Sequence, residues 1–95
     1  MKGYIVCVYK SIDDENLLKK YAENAIPAIK KYKGKILIRG GKSQSVEGED
    51  SPRTVIIEFP SFKVAKDYYN SNEYQKAHSI LEGTVVRNLQ IVEGT

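Results

Sequence analysis

Residues Gly3 to Tyr9 read GYIVCVY, an unbroken apolar run bounded by Lys2 and Lys10, the pattern of a strand buried on both faces. The period then changes. From Asp14 to Tyr32, the residues Leu18, Tyr21, Ala22, Ala25, Ile29 and Tyr32 recur at spacings of three and four, with lysines filling the other face, which predicts an amphipathic helix. Asp13 can cap its first free N–H groups, and Asp14 and Glu15 suit the positive end of the helix dipole. Pro27 removes a backbone donor inside the pattern and predicts a kink or a break. Gly34 stands where a left-handed residue usually ends a helix.

Lys35 to Arg39 is a second short strand closed by Gly40 and Gly41, and Lys42 to Pro52 is a polar hairpin loop with Val46 as its only apolar anchor. Arg53 to Phe59 is a third strand whose odd positions 55, 57 and 59 are all apolar. Ser61 caps a second helix carrying Phe62, Ala65, Tyr68 and Tyr69 on one stripe. Asn70-Ser71-Asn72 interrupts it, and Tyr74, Ala77, His78 and Leu81 restart the period, with Ser71 capping the second piece. Gly83 ends the helix, and Thr84 to Val92 is the last strand.

The order strand, helix, strand, strand, helix, strand is the split arrangement called ferredoxin-like, an α+β fold with a four-stranded antiparallel sheet. Right-handed crossovers put both helices on one face of that sheet and leave the other bare. The first strand then poses a problem: Ile5, Cys7 and Tyr9 point one way and Tyr4, Val6 and Val8 the other, so neither face suits water. An exposed apolar sheet face normally marks an interface, and the simplest cover is a second copy packed face to face about a two-fold axis. A monomer whose 42–52 loop folds over the sheet is the competing arrangement.

Composition narrows the functions. At 95 residues, 41% hydrophobic and 28% charged, the chain is long enough for one domain spanning 1–95 and too apolar to be disordered. No apolar run approaches the roughly 20 residues of a membrane span, and the N-terminus lacks a secretion signal, so a soluble cytoplasmic protein is expected. One cysteine, Cys7, and one histidine, His78, make neither a disulfide nor a standard zinc or haem ligand set, so no metal and no cofactor are expected. Fifteen basic against twelve acidic residues, net +3, is too mild and too interspersed to demand a nucleic acid or a membrane. RNA binding, which this topology can support, needs aromatics stacked on the central strands in a basic context, and residues 53–59 lack that pattern.

Five short motifs support a family. Arg39-Gly40-Gly41, Val46-Glu47-Gly48, Glu58-Phe59-Pro60-Ser61, the run from Tyr69 through Ser71 to Glu73-Tyr74-Gln75, and Val92-Glu93-Gly94 occur in order and at natural spacing across essentially the whole chain. Together they resemble the domain of unknown function 1330 family. The resemblance implies a dimeric α+β barrel of ferredoxin-like protomers, in a superfamily that also holds small cofactor-independent monooxygenases, lactone isomerases and haem-using relatives. It implies no agreed activity. One departure is visible: where this chain has Tyr68, the family commonly has tryptophan.

Candidate chemistry is sparse. Glu58 sits in a central strand, where a charge needs a partner such as Arg39 or Arg53; it is either a register-fixing salt bridge or, if it lines a pocket, a general base raised by desolvation. Tyr69 and Tyr74 flank the helix break and are packing residues or pocket walls beside an N-terminus at Ser71 that could hold an anion. His78, four residues after Tyr74, is the one side chain that ordinarily titrates near neutrality, and is the first candidate for proton transfer unless it is merely a packing residue. Arg39, before two glycines, is a candidate carboxylate anchor or part of a bulge and turn. Glu47, Glu49 and Asp50 read as a solvated face and Cys7 as a small hydrophobe. The functional expectation is a pocket for a small acidic or aromatic metabolite between sheet and helices, with monooxygenase- or isomerase-like chemistry, or a non-catalytic binding or regulatory dimer.

Overall fold

Alternation along one strand sorts the whole chain into a covered and an open side. In the computed structural model, which describes residues 1–95, the elements run β1 (Gly3–Ile12), α1 (Glu15–Lys31), β2 (Lys35–Arg39), β3 (Thr54–Phe59), α2 (Phe62–Asn70), α3 (Asn72–His78), a 3-10 turn (Ser79–Leu81) and β4 (Val85–Glu93). The sheet order is β2-β3-β1-β4 and every pair is antiparallel. Ile5, Cys7 and Tyr9 of β1 point under the helices and are each 2% exposed; they meet Ile57 and Phe59 of β3, Ala25 and Ile29 of α1, and Ala65, Tyr68 and Tyr74 of α2 and α3 in two adjoining core clusters. Tyr4 and Val6 on the opposite face are half-buried, and Val8, Ile38, Val86 and Val92 are exposed.

Several boundaries differ from the sequence reading. β1 continues past Tyr9 to Ile12, because a register shift between Tyr9 and Ser11 lets it keep pairing with β4. Asp14, not Asp13, caps α1: its Oδ1 accepts from the N–H groups of Asn16 and Leu17. α1 runs unbroken across Pro27, and the expected break is absent. The left-handed residue after α1 is Lys33, at φ 61°, while Gly34 is needed for a different reason. A Cβ on Gly34 would lie 2.7 Å from Ile29 Cγ2 and from Phe59 Cε1, so the chain passes directly over the core there. Val46 anchors nothing: it is 84% exposed, residues 41–50 are all exposed, and the loop does not cover the open sheet face. Only its end is tied down, where the Ser51 hydroxyl bonds the carbonyls of Tyr9 and Arg53.

The helix break forms as the sequence predicts. The Ser61 hydroxyl accepts from Val64 N–H at the start of α2, and that of Ser71 accepts from Tyr74 N–H while donating to the Tyr68 carbonyl. Gly3 lets α2 settle on β1, since a Cβ there would be 2.4 Å from the Ser61 carbonyl oxygen. α1 instead rests mainly on α3 and the 3-10 turn, and the small side chains of Ala22 and Ala25 leave a gap between it and the sheet.

Gly34→Ala is expected to destabilise the fold by about 1–3 kcal/mol, the usual cost of forcing an extra methyl into a packed core. Urea denaturation checks this, and a midpoint equal to that of the parent chain would show that Ile29 and Phe59 move aside freely.

Candidate functional site

The last strand places a charge where the core pattern calls for an apolar side chain. Arg87 is the direct cross-strand partner of Tyr9, on the helix-covered side of β4 between Val85 and Leu89. Its Nη1 donates to the hydroxyls of Tyr9 at 3.0 Å and Tyr21 at 3.4 Å and lies 3.8 Å from Cys7 Sγ, while Nη2 donates to the Tyr74 hydroxyl at 2.9 Å. Tyr21 and Tyr74 bond each other at 2.9 Å. The guanidinium carbon also lies 5.5 Å from the ring centre of Tyr9 and 5.3 Å from that of Tyr21, in cation–π range.

No carboxylate pairs with Arg87; the ion pairs of the chain are Lys31–Glu73 and Lys63–Asp67, both on the surface. A largely buried cation without an anion is costly, of order several kcal/mol, and phenol dipoles and ring faces offset only part of that. Burial works against its charged form, but the oxygens of Tyr21 and Tyr74 outweigh it, so Arg87 stays protonated. Burial also pushes the Tyr9 phenol up to about 12 and those of Tyr68 and Tyr74 higher still, which keeps all three protonated.

Arg87 forms a wall shared by two spaces. On one side is a cavity of about 60 Å³ between α1 and the sheet, lined by apolar residues and tyrosines, with Arg39, Arg53 and Arg87 as its only charged residues. On the other is an open groove of about 480 Å³ between β4 and the α2–α3 layer, lined by Tyr69, His78, Leu81, Val85, Leu89 and Arg87. The groove falls within the roughly 300–1,000 Å³ of ordinary small-ligand sites. His78 is half-buried at its rim, and desolvation first, then the positive charge of Arg87, hold its pKa below the usual histidine value. At pH 7 it is therefore neutral and able to accept a proton.

The residues singled out from the sequence divide by face. Tyr69, Tyr74 and His78 come together, with ring centres 5.1 Å apart for Tyr69–Tyr74 and 6.1 Å for Tyr74–His78. Tyr74 is fully buried and backs the site through its hydroxyl, while Tyr69 and His78 face the groove. Arg39 and Arg53 line the cavity from the β2–β3 side, across Tyr9 from Arg87. Glu58 lies apart from all of them: it points to the open sheet face, accepts the Tyr4 hydroxyl at 3.1 Å and sits across from Lys35. The expected pairing with Arg39 or Arg53 cannot form, because both arginines are on the helix side, and Glu58 does not enter the space between sheet and helices. At the Ser71 N-terminus, the N–H of Tyr74 in the first turn is taken by the buried Ser71 hydroxyl. Cys7 is buried with its thiol pushed up by that burial, as befits a small hydrophobe. Arg87 itself escaped the sequence reading; the signal was its place in TVVRNLQIV, where Val85, Leu89 and Ile91 mark the core-facing phase and position 87 falls in it.

Comparison with known proteins fits this architecture. Residues 2–95 match the family described as Domain of unknown function (DUF1330), and the chain belongs to it. No match is found among the curated proteins. Among solved structures, a protein of unknown function from Rhodopseudomonas palustris is 14% identical, with 99% of this chain and 82% of that one covered and a TM-score of 0.77. A dimeric ferredoxin-like protein of unknown function from Bacteroides fragilis is 19% identical, with 98% and 96% covered and a TM-score of 0.66. A protein from Caulobacter crescentus provisionally assigned as an antibiotic biosynthesis monooxygenase is 11% identical, with 99% and 89% covered and a TM-score of 0.63. At these identities the likeness shows the fold, which is ferredoxin-like.

The depressed pKa of His78 has a measurable consequence. The folded state binds fewer protons there than the unfolded chain, so the contribution of His78 to stability is full above the unfolded value near 6.5 and falls as pH drops through it. Titration of its imidazole by NMR is expected to give a midpoint below 6.5, moving upward in Arg87→Met; a midpoint at or above 6.5 in the parent chain contradicts the assignment.

Proposed function

We propose that this member of the family binds a small organic anion with an aromatic or apolar body in the groove beside β4, with Arg87 as the anion anchor and His78 as a proton acceptor. The observation that carries this reading is the unpaired guanidinium of Arg87, held by three tyrosines and open to a groove of suitable size. Leu81, Val85 and Leu89 supply an apolar wall for the ligand body, and Tyr69 flanks it. A neutral His78 can take a proton from an acidic C–H or O–H of the bound molecule, and the fixed charge of Arg87 then stabilises the negative charge left behind. Proton removal of this kind starts both isomerase-like and monooxygenase-like reactions, and the provisional monooxygenase assignment of the Caulobacter crescentus protein and of another from Nitrosomonas europaea supports the second.

The open sheet face, with Val6, Val8, Ile38, Ile56 and Val92, is covered by a second copy in this reading. Two ferredoxin-like proteins of similar structure are dimeric, which supports it. Glu58 and its bond to Tyr4 then belong to the interface and not to the ligand site.

Two experiments test these statements. In an NMR titration with 4-hydroxybenzoate, the His78 imidazole and the methyls of Val85 and Leu89 are expected to shift, and Arg87→Met is expected to weaken binding roughly 10- to 100-fold, the loss of one or two charge-assisted hydrogen bonds. Unshifted groove signals, or unchanged affinity in Arg87→Met, would falsify the anchor. In sedimentation equilibrium the chain is expected to be a dimer and Ile56→Glu a folded monomer; a monomeric parent chain sinks the face-to-face arrangement.

A further inference from the structure

The cavity behind Arg87 has two further arginines, across Tyr9, that the groove does not use. Arg53 sits beside Tyr9, which donates its N–H to the Arg53 carbonyl at 2.9 Å, and Arg39 pairs with Val55 one step along the sheet. On the Arg87 side of Tyr9, tyrosine hydroxyls take three of the guanidinium's five N–H groups and the rest serve the groove. On the Arg53 side nothing does: Nε is buried and makes no hydrogen bond within the chain. Neither Arg39 nor Arg53 has an acidic partner, and Glu47, Glu49 and Asp50 of the adjoining loop make no ion pair with them. The Arg53 side chain is held in place from behind. Gly40, at φ +68°, brings its backbone so close that a Cβ would be 2.9 Å from Arg53 Nη1. Buried donors are ordinarily satisfied, so a guanidinium on the wall of an apolar cavity with its Nε–H buried and orphaned calls for an acceptor from outside the chain.

We infer that Arg53 and Arg39 form a second anion subsite, distinct from the Arg87 groove, that takes the carboxylate of a short-chain organic acid whose apolar tail enters the cavity between Ile26, Ile36, Val55 and Ile57. The size of the tail follows from the space. A cavity of about 60 Å³ holds four to six atoms of water size, at roughly 10–15 Å³ each, and a methylene group sits at the larger end of that range. The matching ligand is therefore an acid with a tail of about four carbon atoms, such as valerate. The apolar lining of Ile26, Ile36, Val55 and Ile57 rejects a second charge at the tail end.

The test is a calorimetric and NMR titration with the series acetate, propionate, butyrate, valerate and hexanoate, with valeramide as the uncharged control. Affinity is expected to rise about fourfold for each added methylene up to valerate and then level off, as the cavity fills. Methyl signals of Ile26, Ile36 and Val55 are expected to shift, valeramide to bind at least about tenfold more weakly than valerate, and Arg53→Met to lower valerate affinity by a similar factor. Arg39→Met, at an exposed position that leaves folding intact, is expected to weaken valerate binding to a smaller degree. Affinity independent of chain length, unchanged affinity in Arg53→Met, or shifts confined to Val85 and Leu89 would each overturn the subsite. The last result would place the acid in the Arg87 groove, and retained binding of 4-hydroxybenzoate by Arg53→Met separates failure of this subsite from failure of that groove.

Discussion

A guanidinium without a counter-ion holds the helix layer to the sheet. Arg87 is fastened to Tyr9 of β1, Tyr21 of α1 and Tyr74 of α3, so one side chain on an edge strand ties three other elements together. The arrangement depends on local decisions made elsewhere. Ser71 breaks the second helical segment and caps α3, which turns Tyr74 inward, and Asp14 sets the start of the helix that delivers Tyr21. Three neutral phenols take three of the five N–H donors of Arg87 without cancelling its charge, and the charge and the remaining donors stay available to something else.

The sheet separates two kinds of chemistry. On its covered face all the charge is basic: Arg39, Arg53 and Arg87 line the space between sheet and helices and no carboxylate joins them. On its open face Glu58, Tyr4 and Lys35 sit among valines and isoleucines. An anionic ligand is favoured on the first and an apolar partner with matching polar groups on the second. The hydrogen bond to Glu58, more than burial, pushes the Tyr4 phenol up, so Tyr4 remains a donor and lowers the cost of a carboxylate on an apolar surface.

Most of the architecture was legible because it rests on periodicities that survive in short segments. The step from two to 3.6 after Tyr9, the serines at 61 and 71 and the glycine-bounded strands led directly to the element order observed. Boundaries were less legible where two residues compete for one role: adjacent Asp13 and Asp14 both suit a cap, and Lys33 accepts the left-handed conformation so that Gly34 can pass against Phe59. The site was legible in part. Tyr74 and His78 share a face of α3 by their spacing of four, whereas Tyr69 lies on α2 and reaches them across the break at Ser71. The pairing of Glu58 with an arginine failed on parity: Arg53 shares the phase of Val55 and Ile57, Glu58 has the other, and the pleat sends them to opposite faces. Arg87 was missed because its three partners lie 13, 66 and 78 positions away, and nothing local announces contacts of that range.

In the proposed function, Arg87 meets an anion from the groove. A crystal structure of the chain soaked with 4-bromobenzoate tests it most directly, because anomalous scattering from bromine locates the ligand without reference to any expectation. The account predicts the carboxylate against Arg87 and the bromine between Leu81, Val85 and Leu89, with His78 at the rim. A bromine peak only on the outer surface, with Arg87 still engaged by its tyrosines alone, contradicts it.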